Sequence, residues 1–247
     1  MKYLILSDMH GNLVALEAVL RRVRRKRFDA ILVLGDLVGY GAAPNQVVER
    51  IRRLPGRVVT VRGNHDKVAA GIDSGESFNQ VALAAATWTA RRLTRPNRSY
   101  LRDLPAGPRD VAEGLAVCHG APVDEDRYLF SERDAAEVFA EWDVSVTFFG
   151  HTHVTSLFAR DGGRILVRQL GGGRGEVELD PEAQYLVNPG SIGQPRDGDA
   201  RASYMTYDST RRLVRWFRVE YPVEDAQRRI RKAGLPDVLA ERLAAGM

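Results

Sequence analysis

The sequence predicts a protein of the α/β class. Over the first 150 residues, short runs of β-branched or bulky residues alternate with amphipathic helical patterns. Each strand-like run ends in a polar turn, and after residue 153 the pattern changes to strands and turns. A chain of 247 residues can bury a large core, so we expect one domain over residues 1–247.

The first part of the chain contains five predicted strands, which cover Tyr3–Ser7, Ala30–Leu34, Arg57–Val61, Leu115–Cys118 and Val144–Phe149. The helix after the first strand has an apolar stripe made of Leu13, Leu16, Leu20 and Val23. A second helix is expected over Pro44–Leu54, with proline near its start. Ser77 and Ser131 are predicted N-caps, because Gln80 and Asp134 follow them at the capping-box spacing.

The second part predicts a separate, mostly antiparallel sheet followed by helix. Its strands are expected at Val154–Ala159, Arg164–Leu170, Gly175–Leu179, Tyr185–Val187, Ser203–Tyr207 and Arg212–Val219. The glycine-rich stretch 171–175 is expected to be a hairpin loop, since it lacks the ending of a phosphate-binding P-loop. Helix is expected from about Val223 onwards, interrupted at Gly234 and Pro236.

Composition narrows the functional classes. The single cysteine, Cys118, excludes an intramolecular disulfide framework and a cysteine-built zinc site. No apolar stretch has the length of a membrane span and no signal-peptide pattern is present, which predicts a cytoplasmic protein without a membrane partner. The net charge of +4 includes a basic run at residues 21–27. This run is interpreted as the solvated face of a helix, with nucleic-acid binding as the alternative.

All five histidines of the protein fall in the polar turns that follow the five early strands. The carboxyl ends of strands in α/β sheets meet in one crevice, so these turns are expected to converge. Imidazole nitrogens mixed with hard oxygens suit Mn²⁺, Fe, Co, Ni or Zn. The candidate ligands exceed the needs of one ion, and two ions sharing a carboxylate would use them all. They are Asp8, His10, Asp36, Asn64, His119, His151 and His153.

These motifs resemble those of the calcineurin-like metallophosphoesterases. That family has D-x-H, G-D, G-N-H-D/E, H and G-H-x-H in this order, matched here by residues 8–10, 35–36, 63–66, 119 and 150–153. The segment Asn188–Gly198 resembles the small bacterial phosphodiesterase branch. The resemblance implies an α/β fold, a four-layer α/β/β/α sandwich with two packed mixed β-sheets.

The resemblance also implies roles for individual residues. Asp8, His10, Asp36 and His153 would hold one divalent ion, and Asp36, Asn64, His119 and His151 the other, with Asp36 as the bridge. Mn²⁺ is the first choice for both ions, with Fe, Ni, Co or Zn as alternatives, and a metal-bound hydroxide would attack the phosphorus. The catalytic acid would be His65, oriented by Asp66, while Asn64, His65 and Arg196 would face the substrate.

The substrate is expected to be a small phosphodiester or a nucleotide. Related phosphatases carry an arginine shortly after G-D, whereas residues 35–41 contain none. A monoester dianion would lack that cation, which favours a diester with one negative charge. Arg196 could partly replace the arginine, or it could be an ordinary arginine of a surface loop. A nuclease and a non-catalytic interaction module are the alternative functions, and the sequence leaves the oligomeric state open.

Overall fold

The computed structural model describes residues 1–247, which form twelve strands and eight helices. The strands are β1 (Lys2–Leu6), β2 (Ala30–Val33), β3 (Arg57–Thr60), β4 (Arg109–Ala112), β5 (Leu115–Val117), β6 (Val146–Phe148), β7 (Thr155–Asp161), β8 (Arg164–Gln169), β9 (Arg174–Glu178), β10 (Gln184–Pro189), β11 (Ala202–Asp208) and β12 (Leu213–Val219). The helices are α1 (Leu13–Val23), α2 (Pro44–Arg52), α3 (Asn64–Ala70), α4 (Gln80–Arg92), α5 (Arg95–Arg102), α6 (Glu132–Glu141), α7 (Val223–Lys232) and α8 (Val238–Ala245).

The strands form two six-stranded mixed sheets, ordered β3-β2-β1-β11-β12-β9 and β4-β5-β6-β10-β7-β8. In the first sheet β1, β2 and β3 are parallel, and β11 pairs antiparallel with β1. In the second sheet β5, β6 and β10 are parallel, and β7 pairs antiparallel with β10. The prediction of a separate antiparallel sheet is wrong, because the late strands divide between both sheets. The 171–175 stretch joins strands of different sheets and is not a hairpin loop.

The two sheets pack face to face and helices cover both outer surfaces. Alternate residues of β1 point to opposite sides, so Tyr3 and Ile5 enter the core between the sheets. Leu4 and Leu6 instead pack with the helices outside the first sheet. Helix α6 covers the outer face of the second sheet with Val138. The resulting α/β/β/α sandwich confirms the predicted fold class.

The helices follow most of the expected signals. The Ser131 hydroxyl accepts from the Asp134 N–H at 3.2 Å, as predicted. The predicted cap at Ser77 is wrong, since Asn79 accepts from the Ala82 N–H at 2.9 Å and α4 begins after it. Helix α1 ends at Val23, so most of the exposed basic run lies beyond it. No helix has the length and apolar character that a membrane crossing requires.

Candidate metal centre

The five polar turns meet at one edge of the sandwich, where the carboxyl ends of β1, β2, β3, β5 and β6 lie. Within the first sheet, the His10 N–H donates to the Asp36 carbonyl at 2.9 Å. Within the second, the Gly150 N–H donates to the His119 carbonyl at 2.7 Å. The two sheets are joined by the His151 N–H, which lies 3.3 Å from both Asp8 carboxylate oxygens. The predicted convergence is confirmed.

The ligand atoms form two overlapping groups that share Asp36. The first group consists of Asp8, His10, Asp36 and His153, and the second of Asp36, His119 and His151. Within each group, one ligand atom from every residue lies within 4.8 Å of the ligand atoms of the others. The Asp36 Oδ2 atom is 3.4 Å from His10 Nε2 and 3.5 Å from His119 Nε2. One carboxylate oxygen therefore faces both groups.

In the first group, the hydrogen bonds of the His10 and His153 rings leave one lone pair of each ring pointing at the other ring. A carbonyl can only accept, so Nδ1 of His10 donates to Val38 O at 3.1 Å and Nδ1 of His153 donates to Gln194 O at 2.6 Å. Burial lowers the pKa of both rings, which are therefore neutral. Their Nε2 atoms then carry lone pairs only 3.0 Å apart. A cation between them removes this repulsion, as expected of metal ligands.

The second group also directs one ring nitrogen of each histidine inward. Nδ1 of His119 donates to Leu34 O at 2.7 Å, which turns Nε2 into the centre. Nε2 of His151 donates to Asp126 O at 3.1 Å, so its Nδ1 faces His119 Nε2 at 3.1 Å. Each histidine thus presents one nitrogen inward and fixes its other nitrogen on a carbonyl.

The centre also has an unbalanced negative charge. Asp8 and Asp36 are at most 1% exposed, and no lysine or arginine pairs with either carboxylate. Burial opposes protonation of His119, but Asp36 and Asp8 outweigh it and raise the pKa of His119 to about 10. A buried carboxylate pair needs a compensating positive charge, which divalent ions supply. The donor set fits the two ions that the resemblance implies.

Backbone strain is concentrated at the same residues. Six non-glycine residues of the chain have positive φ, between 46° and 67°. Five of them are candidate ligands, and only Arg212 lies elsewhere; the five are Asp8, His10, Asp36, His151 and His153. Such conformations cost about 1–3 kcal/mol each and persist at sites where geometry is functionally constrained. The strain is an indication of function that does not depend on the ligand chemistry.

A glycine allows the carboxylate shared by the two groups to approach the next turn. A Cβ atom at Gly63 would lie 2.1 Å from Asp36 Oδ1, closer than any side chain can tolerate. This oxygen accepts a hydrogen bond from the His65 N–H at 2.9 Å, in the first turn of α3. The close approach leaves Oδ2 of Asp36 free to face the ligands.

The side chains of residues 64, 65 and 66 lie in three different surroundings. Asn64 Oδ1 lies 3.2 Å from His119 Nε2, beside the second group, as the resemblance implies. The ring of His65 is buried between Tyr40 and Phe78, and its Nδ1 has no hydrogen-bond partner. Asp66 does not bond to this ring, contrary to the expected orienting role. Its oxygens accept from the Val38 and Gly63 N–H groups at 3.1 Å each, which holds the backbone.

Arg196 lies at the mouth of the centre. Its Nη2 is 3.3 Å from the Tyr40 hydroxyl and 3.1 Å from Gln194 Oε1. Burial is the main cause that lowers the pKa of His65 to about 4, and the positive charge of Arg196 contributes to this decrease. The structure therefore brings Arg196 to the site.

Sequence reasoning missed Tyr40, Phe78, Tyr128 and Asn188. Asn188 is fully buried, and its Nδ2 donates to the Gly150 carbonyl at 2.6 Å, which fixes the turn before His151. Its position in the Asn188–Gly198 segment was a usable signal. The other three are aromatic residues of the kind that is common in cores, so nothing in the sequence separated them from core residues.

The fold and the buried His/Asp centre together define a metal-dependent phosphoesterase. Residues 1–155 match the calcineurin-like phosphoesterase family, and the chain belongs to that family. The predicted family is thus confirmed, and with it an enzyme of the phosphoric ester hydrolase class.

Two relatives and one solved structure extend over most of the chain. Uncharacterized protein MJ0912 of Methanocaldococcus jannaschii is 37% identical over 246 residues, covering 98% of this chain and 97% of that protein. Phosphodiesterase YfcE of Escherichia coli K12 is 35% identical over 217 residues, covering 85% of this chain and 88% of that protein. A metallophosphoesterase from Sphaerobacter thermophilus is 40% identical, with a TM-score of 0.87 over 100% of this chain and 99% of that one.

Proposed function

We propose that this protein is a phosphodiesterase with two divalent ions, Mn²⁺ first and Fe, Ni, Co or Zn as alternatives. One ion would be held by Asp8, His10, Asp36 and His153, and the other by Asp36, Asn64, His119 and His151. Two bound ions supply an activated water molecule and neutralise charge on the phosphoryl oxygens. The observation that carries the proposal is Oδ2 of Asp36, which faces two groups of inward-pointing imidazoles.

The surroundings of Gly39 favour a diester substrate. A Cβ atom here would lie 2.6 Å from His10 Nδ1 and 2.8 Å from His65 Nδ1. A side chain that could grip phosphate therefore has no room at this position, where related phosphatases carry arginine. Arg196 is then the cation left to face the phosphoryl group, which suits the single charge of a diester.

His65 is placed to protonate the leaving oxygen once the negative charge of a bound phosphate opposes the burial and the Arg196 charge that lower its pKa. It is not among the candidate ligands, and its ring centroid lies 4.9 Å from that of His10 and 4.4 Å from that of Tyr40. The four other histidines use Nδ1 in a polar contact, whereas Nδ1 of His65 has none. The ring is thus positioned by packing beside the centre and not committed to a ligand role.

A nuclease is the second candidate, and the basic run gives it little support. The run begins in the last turn of α1 and continues beyond it, while Asn12 caps the start of this helix near the centre. An 11-residue helix is about 16 Å long, so the run lies at the end of α1 that is remote from the centre. Degradation of single-stranded DNA or RNA with Mn²⁺ present would establish the nuclease instead.

The test compares bis(p-nitrophenyl) phosphate with p-nitrophenyl phosphate on the Mn²⁺-loaded protein. We expect a higher kcat/KM for the diester. Arg196→Gln should lower it by ~10- to 150-fold, the loss of about 1.5–3 kcal/mol from a charged hydrogen bond. Arg168→Gln on exposed β8 is the control with the same charge change. Faster turnover of the monoester would contradict the diester assignment.

A further inference from the structure

Two aromatic side chains stand apart from the others because they are exposed. Tyr128 is 43% exposed and Phe130 is 58% exposed, whereas every other aromatic residue is at least partly buried. The two rings are stacked, with centroids 5.5 Å apart and an angle of 10° between their planes. We call this pair the aromatic shelf. Its outer ring, Phe130, stacks on Tyr128 and also presents apolar surface to solvent.

The aromatic shelf begins at the metal centre. The inner ring, Tyr128, stacks on the candidate ligand His151 with centroids 3.8 Å apart and planes at 26°. The rings of His151, Tyr128 and Phe130 therefore form a row from the centre to the surface.

The loop that carries the shelf is fixed to the body of the protein. Glu125 pairs with Arg62 at 2.8 Å and with Lys67 at 3.1 Å. Asp126 accepts from Lys67 Nζ at 2.5 Å, and its carbonyl accepts from His151 Nε2 at 3.1 Å. A surface held in place before binding loses little conformational entropy when a ligand arrives.

The adjoining helix does not explain the outer ring. Phe130 precedes the N-cap of α6, and its backbone N–H donates to Asp134 Oδ2 at 3.0 Å. The Ser131 hydroxyl completes the cap. Any residue other than proline supplies the N–H group that the cap needs from position 130, so the capping geometry does not require an aromatic side chain.

We infer that the aromatic shelf binds the base of a nucleoside phosphodiester, in which the nucleoside is the ester group that stays on the phosphate. The base would pack against the exposed side of the aromatic shelf while Arg196 meets the phosphate. The inference rests on the proposed phosphodiesterase function and names its substrate class. Stacking uses the face common to all bases, so the shelf should discriminate little among them.

The experiment compares two diesters with the same leaving group, thymidine 5′-(p-nitrophenyl phosphate) and methyl p-nitrophenyl phosphate. We expect the wild-type protein to prefer the nucleoside diester in kcat/KM. Phe130→Ala should lower its kcat/KM by ~5- to 150-fold, the range for loss of one base–aromatic stack, and leave the methyl diester unchanged. Phe130→Trp should retain the preference. Leu166→Ala, at a side chain 60% exposed on β8, is the control.

Calorimetric binding of adenosine 5′-monophosphate and of methyl phosphate gives a second readout that needs no turnover. The nucleotide should bind more tightly to the wild-type protein, and Phe130→Ala should abolish the difference. Equal binding of both compounds, or a nucleoside preference that survives in Phe130→Ala, would overturn the shelf. Failure to hydrolyse either diester would overturn the proposed function, and the binding comparison would then decide the shelf separately.

Discussion

Replacing Gly39 by alanine tests whether the centre depends on the space at this position. Gly39 has φ of +135°, and an added Cβ atom would lie 2.6 Å from His10 Nδ1 and 2.8 Å from His65 Nδ1. The backbone strain alone should cost about 1–3 kcal/mol. For a chain of this size each kcal/mol lowers Tm by ~2–4 °C, so we expect a decrease of ~2–12 °C. Both rings must also move away from the new methyl group.

The displaced rings should reduce activity beyond the loss of stability. A shift of about 1 Å in reacting groups can cost ~10²-fold, so kcat/KM for bis(p-nitrophenyl) phosphate should fall by about that factor. Gly163→Ala is the matched control, because Gly163 also has positive φ, +84°, and no atom lies within 4 Å of its added Cβ. It should lose stability and keep activity. Wild-type kcat/KM in Gly39→Ala would refute the reasoning.

The other two predictions concern the bridging role proposed for Asp36 and the proton-donor role proposed for His65. Asp36→Ala should remove both ions and nearly all activity while circular dichroism shows the fold retained; two ions per purified chain would contradict the bridging role. His65→Gln should leave metal content unchanged, since no ligand is lost, and lower kcat by ~10²–10⁴-fold for alkoxide leaving groups, as general acids do. The loss should be small for p-nitrophenolate, which scarcely needs a proton. Equal losses across a leaving-group series would make His65 a positioning residue only.

The convergence of the candidate ligands could be predicted because these residues are local features of the sequence. Each ligand follows the end of a short apolar strand, and parallel strands bring such ends to one edge whatever their order in the sheet. His119 and His151 follow strands of the second sheet, and Asp8 and Asp36 follow strands of the first, yet the same rule predicted that all four would meet. The structure adds the inward direction of one nitrogen of each imidazole, which depends on the carbonyl that the other nitrogen contacts.

The partners of the late strands could not be predicted. Strands β7 and β8 join the second sheet and β9 joins the first, although they are consecutive in sequence. Each has strand-like residues, and pairing is decided by packing against distant strands that local patterns do not specify. Asp66 was misjudged for a similar reason, since its carboxylate serves two backbone N–H groups, one of them from the distant Val38.

The aromatic shelf was also invisible in the sequence. Tyr and Phe are common core residues, but Tyr128 and Phe130 are exposed beside a loop whose acidic residues pair with Arg62 and Lys67. Exposure is a property of the folded chain and not of the residue type. The shelf therefore had to be found from burial and ring geometry.

The most direct test of the central claim is the metal stoichiometry of the Mn²⁺-loaded wild-type protein, measured by mass spectrometry together with electron paramagnetic resonance. We predict two ions per chain with an exchange-coupled manganese signal, because Asp36 Oδ2 faces both ligand groups. One ion per chain, or two ions with only isolated Mn²⁺ signals, would contradict a dinuclear centre that shares this carboxylate.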